Sequence, residues 1–325
     1  MTLGPEGREG PEARPARVMD GSEWLAGRFE EHRPHLRAVA YRMLGSLAEA
    51  DDAVQDAWER VDRAGADDVD NLKAWLTTVV ARVCLNVLRS RNTHPEEPLE
   101  AHVPDPIVSP ADRPNPEEEV LLADSVGLAL QIVIDTLGPA ERLAFVLHDM
   151  FHLSFGEIAA MVGRSPEATR QLASRARRRI KGAEVPTPER DVARQRAVVD
   201  AFFAAGRAGD FDALVALLHP DVVARADFGP GRPGASRVLR GAAAVARQAR
   251  LGANAAAVLH PALVNGAAGV VITLNGEPFS LMGFTVADGK IVEVDVIADP
   301  DRIARLAAPV LAGGGRQPGP DDHRS

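Results

Sequence analysis

Cysteine, aromatic residues and long apolar runs are all scarce in this 325-residue chain. Its one cysteine, Cys84, has no partner for an internal disulfide and cannot build a thiolate zinc cage, so neither cross-link nor metal is expected to hold the fold. Aromatics make up 4% of the residues, which leaves the cores to Ala, Val and Leu. No uninterrupted apolar run nears the roughly 18 residues that a membrane span needs. The N-terminus mixes Gly, Pro and both signs of charge without an apolar stretch, unlike a secretory signal, and reads as a disordered leader over 1–22. The expectation is a soluble, cytoplasmic protein with no membrane partner, cofactor or metal.

What is present suffices for ordinary cores: 46% hydrophobic and 26% charged residues, in a length that suggests two or three domains. The net charge of −9 argues on average against nucleic-acid binding, but the charge is sorted along the chain. Residues 49–70 carry nine acids against two arginines, and 95–124 carry nine against one. By contrast, 164–181 carries seven basic residues against Glu167, and 73–91 is purely basic with Lys73, Arg82, Arg89 and Arg91. Two basic footprints in an acidic chain are more informative than the total.

Proline and glycine divide the text. From Trp24 to about Arg91 apolar residues recur at helical spacing, as in Leu72, Leu76, Val79, Val80 and Val83. Seven prolines between 95 and 116 block helix and strand alike, so 93–118 reads as an extended acidic linker. Helical text resumes and runs to Lys181. Beyond Pro188 come helices at about 191–206 and 210–218, then β-branched runs at Val270–Leu274, Phe279–Val286 and Lys290–Ile297. Asn275-Gly276 and Asp288-Gly289 mark the turns between these runs, giving an α+β domain with an antiparallel sheet. The expected domains are 23–92, 119–183 and 190–310, with a disordered tail over 311–325.

The sharpest local signal lies in 153–181. A helix over Phe155–Val162 is stopped by Gly163. Ser165 then caps a second helix that has Pro166 at its first position and Glu167 at its positive end. Ala168, Leu172 and Ala176 should face inward, and Arg170, Gln171, Ser174, Arg175 and Arg178 outward. Two short helices around a tight Gly turn, the second rich in Arg, suit a helix-turn-helix in a major groove, with Arg179 also available to DNA. The plainer alternative is a solvated arginine face.

The blocks 40–61 and 71–91, read with this motif, resemble extracytoplasmic-function sigma factors of bacterial RNA polymerase. The residues that carry the likeness include Tyr41, Arg42, Gly45, Asp51, Asp52, Val54, Gln55, Asp56, Trp58 and Arg60, then Ala74, Trp75, Leu76, Val79, Arg82, Asn86, Leu88 and Arg89. Asp51, Asp52, Gln55 and Asp56 share one helix side, an acidic docking face, which the resemblance assigns to core RNA polymerase. Lys73, Arg82, Arg89, Arg91, Asn71, Asn86, Thr77 and Thr78 could hold phosphate and splayed bases. The resemblance places promoter opening there, with Arg82, Asn86 and Arg89 as DNA contacts. Trp75 and Cys84 read as core residues. The acidic linker either threads toward the polymerase cleft or serves as a plain tether.

The last 130 or so residues resemble the SnoaL or nuclear-transport-factor-2-like fold, through Val198, Phe202, Phe203, Gly209-Asp210-Phe211-Asp212 and His219-Pro220-Asp221. A sigma factor with this tail is similar to the mycobacterial sigma J type group, where the tail is thought to modulate activity. Asp227-Phe228-Gly229-Pro230-Gly231-Arg232 and Asp299-Pro300-Asp301 stand where that group has two of its motifs, while its linker box survives at best as Glu97-Pro98-Leu99. The implied architecture is multidomain: two all-α sigma domains, the second holding the helix-turn-helix, and a C-terminal α+β cone. The cone leaves room for a small-molecule ligand, and Asp227, His260, Asp295 and Asp299 are conceivable catalytic groups, or else surface carboxylates and a loop histidine. Two other functions stay open at this point: a helix-turn-helix regulator with a ligand-binding C-terminal domain, and an isomerase-like enzyme with a nucleic-acid-binding appendage.

Overall fold

A computed structural model describes residues 21–64, 69, 71–93, 101–112, 128–183, 187–229, 231–232, 235–252 and 254–313. The expected leader up to residue 20, the tail beyond 313, and Glu97-Pro98-Leu99 lie outside the described residues.

The first unit packs α1 (Gly21–Leu44), α2 (Leu47–Ala64) and α3 (Leu72–Thr93). On α2, Ala50, Ala53, Val54, Ala57 and Val61 form the buried stripe, at the three- and four-residue spacing of one helix face. The acids fall on the opposite side. Trp75 is half-buried against this core, and Cys84 is fully buried, its thiol pushed up to about 12 by desolvation.

The second unit comprises α4 (Leu128–Asp135), α5 (Pro139–Phe145), a wide turn over Val146–Met150, α6 (Phe155–Val162) and α7 (Pro166–Gly182). It shares one continuous apolar cluster with the first, in which Leu36, Leu76, Val80 and Leu85 join Leu143, Leu147, Ile158 and Met161. Polar ties accompany it. Arg142 donates to the carbonyl of Met43 at 2.9 Å and pairs with Asp135 at 2.7 Å, while the ring of His35 meets Phe151 edge-on at 5.4 Å. Burial pushes the Asp135 carboxyl up and the Arg142 guanidinium down, and the charge of each opposes the shift of the other.

The third unit runs α8 (Val192–Ala208), α9 (Phe211–Leu217), β2 (Leu218–Asp227), β3 (Arg237–Arg240), α10 (Ala242–Gly252), β4 (Ala257–Val264), β5 (Ala267–Leu274), β6 (Glu277–Ala287), β7 (Lys290–Ile297) and α11 (Pro300–Gly313). Asn275-Gly276 and Asp288-Gly289 turn the hairpins as expected, each pair with positive φ, and Asn265-Gly266 adds a third such turn. The sheet order is β1-β4-β5-β6-β7-β2-β3, where β1 is Val108–Pro110. It is mixed rather than antiparallel, because β2 lies parallel to β7. Parallel neighbours need a long crossover, here supplied by α10 and the β4–β6 meander.

β1 (Val108–Pro110) corrects the reading of the linker as wholly extended tether. Val108, Ser109 and Pro110 pair antiparallel with Val264, Leu263 and Ala262, so the linker forms an edge strand of the C-terminal sheet. Proline density does not forbid this, since an edge strand tolerates a residue without N–H. Val103, Val108 and Leu128 then join Ala262, Val264, Leu281, Ile297, Ile303 and Ala307 in a separate core on that face of the sheet. Among the described residues no helix is long and apolar enough to cross a membrane.

Candidate nucleic-acid interface

The helix-turn-helix is built by local chemistry. Ser154 and Glu157 form a reciprocal capping box at the start of α6, where Ser154 N–H donates to the Glu157 carboxylate at 2.8 Å. Those hydrogen bonds hold Glu157 below the usual carboxylate range. Gly163 takes φ +69° and donates to the Ala159 carbonyl at 3.0 Å, closing α6 in a conformation that few other residues adopt. Two residues on, the Ser165 hydroxyl accepts from Ala168 N–H at 3.2 Å and Pro166 opens α7. α7 buries Thr169, Leu172, Ala173 and Ala176, whereas Ala168 is only half-buried. Thr169 tolerates burial because its hydroxyl donates to the Ser165 carbonyl at 3.0 Å.

Arg170, Gln171, Ser174, Arg175 and Arg178 are exposed together along α7. Arg170 is steadied over the Phe155 ring at 5.4 Å. Arg179 is also exposed but turns back to the Thr136 carbonyl at 3.2 Å and lies 3.7 Å from Glu141. On α2, Asp51, Asp52, Gln55 and Asp56 are exposed side by side. Arg37 grips Asp51 through two bonds of 2.6 and 2.9 Å, and Arg60 lies 3.6 Å from Asp56.

The basic face of α3 is less free. Arg82, Asn86 and Arg89 are exposed, but the Arg82 guanidinium reaches the Ala160 carbonyl of α6 at 3.4 Å. Three of the residues expected to face nucleic acid there hold α3 itself. Thr77 is buried and donates to the Lys73 carbonyl, Thr78 donates to Ala74, and Asn71 accepts from Ala74 N–H at the start of the helix. Sequence spacing does not separate a hydroxyl bonded to its own helix from one offered outward.

Of the C-terminal candidates, Asp227 and Asp299 lie together around Gly229 and Arg302, whereas His260 and Asp295 take separate partners. Phe202, Phe203 and Phe284 meet with centroids 5.7 to 5.9 Å apart and fill the space between α8 and the sheet. Asp227 and Asp295 are buried, not surface carboxylates, and His260 lies on β4, not in a loop. His260 contacts the Thr273 hydroxyl at 3.0 Å, Asp295 pairs with Arg225 at 3.0 Å, and Asp299 caps α11 by accepting from Arg302 N–H. Asp295 is pushed up to about 7 by desolvation, a rise that Arg225 opposes and Glu293 reinforces. Gly229 takes φ +71° and packs closely on Asp299, where an added Cβ would lie 1.8 Å from the carboxylate.

A junction of the first unit, the linker and the C-terminal unit brings together Tyr41 and Asp227, read otherwise in the sequence, with Asp105, Asn265 and Arg302, which the sequence reading did not single out. The Tyr41 hydroxyl of α1 lies 3.1 Å from both the Asp105 carbonyl of the linker and Asn265 Oδ1 of the C-terminal sheet. Burial pushes that phenol up to about 12. Arg302 on α11 donates to Asp105 at 2.6 Å and to Asp227 at 2.7 Å. Burial alone would raise Asp227, but His102, the N–H groups of Val103 and Gly229, and the Arg302 charge hold it well below the usual range. Asn265-Gly266 was the one available signal, a turn dipeptide between β-branched runs.

Comparison with known proteins agrees with this division. The Sigma-70 region 2 family matches residues 28–93, Sigma-70 region 4 matches 128–180, and the SnoaL-like domain matches 199–294. The chain is 37% identical over 286 residues to the ECF RNA polymerase sigma factor SigJ of Mycobacterium tuberculosis, covering 84% of this chain and 91% of that one. It is 35% identical over 296 residues to a probable ECF sigma factor of the same species, SigI, covering 90% of this chain and 98% of the other. The crystal structure of SigJ superposes with a TM-score of 0.68 at 36% identity, covering 86% of this chain and 98% of that one. The chain belongs to the ECF sigma factors of RNA polymerase, with sigma regions 2 and 4 followed by a SnoaL-like domain.

Proposed function

We propose that this sigma factor binds core RNA polymerase through Asp51, Asp52, Gln55 and Asp56, and directs initiation at promoters read by α7. Arg170, Gln171, Ser174, Arg175 and Arg178 form the reading surface, with Arg179 gripping phosphate, while Arg82, Asn86 and Arg89 of α3 engage the opened strand. The observation that carries this reading is the capped helix-turn-helix, which leaves five polar side chains of α7 together in solvent. The unit boundaries follow as 23–92, 119–183 and 190–310, with residues 101–112 serving the C-terminal domain as well as the linker. We assign the chain no enzymatic role. Membership of the sigma family makes a stand-alone helix-turn-helix regulator the weaker alternative, since such a regulator has no need of α1–α3.

The C-terminal domain modulates this activity in cis. Regions 2 and 4 must part to span two promoter elements, yet here they share one core and Arg82 is engaged by α6. The tail contacts both, through Tyr41 and Leu128, and so biases a closed–open equilibrium. Run-off transcription with core polymerase tests both statements. The full chain should confer initiation at a defined promoter, and a chain ending at Pro186 should change output severalfold. No initiation would sink the first statement, and identical output from both chains the second.

A further inference from the structure

The linker is held on the outer face of the C-terminal sheet, away from the aromatic-filled cone, in the manner of a bound peptide. Val103 N–H donates to Asp227 Oδ2 at 3.0 Å, and its carbonyl accepts from Arg302. Ile107 exchanges two bonds with Asn265, its N–H donating to Oδ1 and its carbonyl accepting from the backbone N–H, each at 2.8 Å. Pro104 and Pro106 are buried between these positions and have no N–H to satisfy. Val108–Pro110 completes the contact by adding a strand to β4. The one charged side chain within this span, Asp105, meets Arg302 at 2.6 Å and Arg305 at 3.3 Å. Val103, Ile107 and Val108 are 0%, 1% and 4% exposed, so apolar anchors, backbone pairing and a single charge contact are all engaged at once.

We infer that the C-terminal domain is a strand-adding peptide-binding module, whose ligand is an extended peptide with prolines flanking one acidic residue, and that residues 101–110 are its resident ligand in cis. Each feature of the segment has a reader: Asn265 and Asp227 take the two N–H groups, the β4 edge takes the strand, and Arg302 with Arg305 selects the acid. The site is vacated whenever the linker leaves, and a peptide of the same sequence then enters it. The inference depends on the cis-modulation reading for its consequence in transcription, but not for the binding itself.

The test uses the full chain carrying Asp105→Arg, which sets like charges against Arg302 and frees the resident segment. A fluorescein-labelled peptide with the unaltered 101–110 sequence is then titrated and followed by anisotropy. Saturable binding is expected, at least tenfold tighter than to the unaltered chain, whose own linker competes at an effective concentration on the order of millimolar. Adding Arg302→Met to the altered chain should weaken binding at least tenfold, and a peptide with Asp105→Arg should not bind. Ile107→Asp frees the segment by burying a charge instead, and serves if circular dichroism shows that the first variant has lost its fold. Failure of the unaltered peptide to bind either folded variant, or equal binding of the charge-reversed peptide, would overturn the inference. Peptide binding with unchanged run-off transcription supports the module and removes only the regulatory reading.

Discussion

On α2 the carboxylates of Asp52 and Asp56 stand in solvent, side by side, with only Arg60 near the second. In the linker Asp105 is nearly enclosed, fixed by Arg302 and Arg305, with its carbonyl against Tyr41. With six acids on α2 and seven over 93–118, the two stretches look alike as charge runs. The helix keeps its acids apart from its apolar stripe by periodicity alone, and so offers them to a partner. The linker has no periodicity, and its acid is placed by a helix nearly two hundred residues away. An exposed acidic face is suited to forming a contact, and an enclosed acid to maintaining one.

The largest expected effect probes the exposed side of this contrast. Replacing Asp52 and Asp56 together by Lys should abolish holoenzyme formation, seen by co-elution with core polymerase, while the circular dichroism of the isolated chain is unchanged. Retained co-elution would remove α2 from the docking assignment.

The enclosed side predicts a loss of stability instead. Arg302→Ala strands Asp105 and Asp227 without their cation and should cost about 3–5 kcal/mol, as for a broken buried pair. Arg60→Ala beside Asp56 should cost about 1 kcal/mol or less, as for an exposed pair. Denaturant unfolding of both variants measures the difference, and equal costs would erase the contrast.

A smaller effect concerns the exposed basic face of α7. Arg175→Ala should weaken promoter binding by about 1–3 kcal/mol and relax one base position, read by titration against promoter variants. Binding unchanged by alanine at both Arg175 and Arg178 would discard the α7 face.

Asp295 supplies a third kind of acid, buried beside Arg225 and Glu293. Its folded-state pKa is raised to about 7, so its contribution to stability is fully present at low pH and is lost as pH rises toward that value. Between about pH 4 and 7 stability should therefore fall by up to roughly 1.4 kcal/mol per pH unit relative to Asp295→Asn, compared by thermal unfolding. A slope that the variant leaves unaltered would show that Asp295 is not the titrating group.

The sequence by itself determined whatever is decided within a turn or two of chain. Ser154, Glu157, Gly163, Ser165 and Pro166 specify the helix-turn-helix locally, and the stripe of α2 and the turns at Asn275-Gly276 and Asp288-Gly289 are equally short-range. Tertiary structure alone decided the rest. Asp105 meets Arg302 across 197 positions, Tyr41 meets Asn265 across 224, and Arg82 meets Ala160 across 78. The same long-range choice made Thr77 a buried helix residue, set β2 parallel to β7, and turned part of a proline-rich linker into a strand. Caps, turns and stripes depend on neighbours that the chain supplies in order, whereas an ion pair or an edge strand depends on which distant surface is still unpaired once the cores have closed.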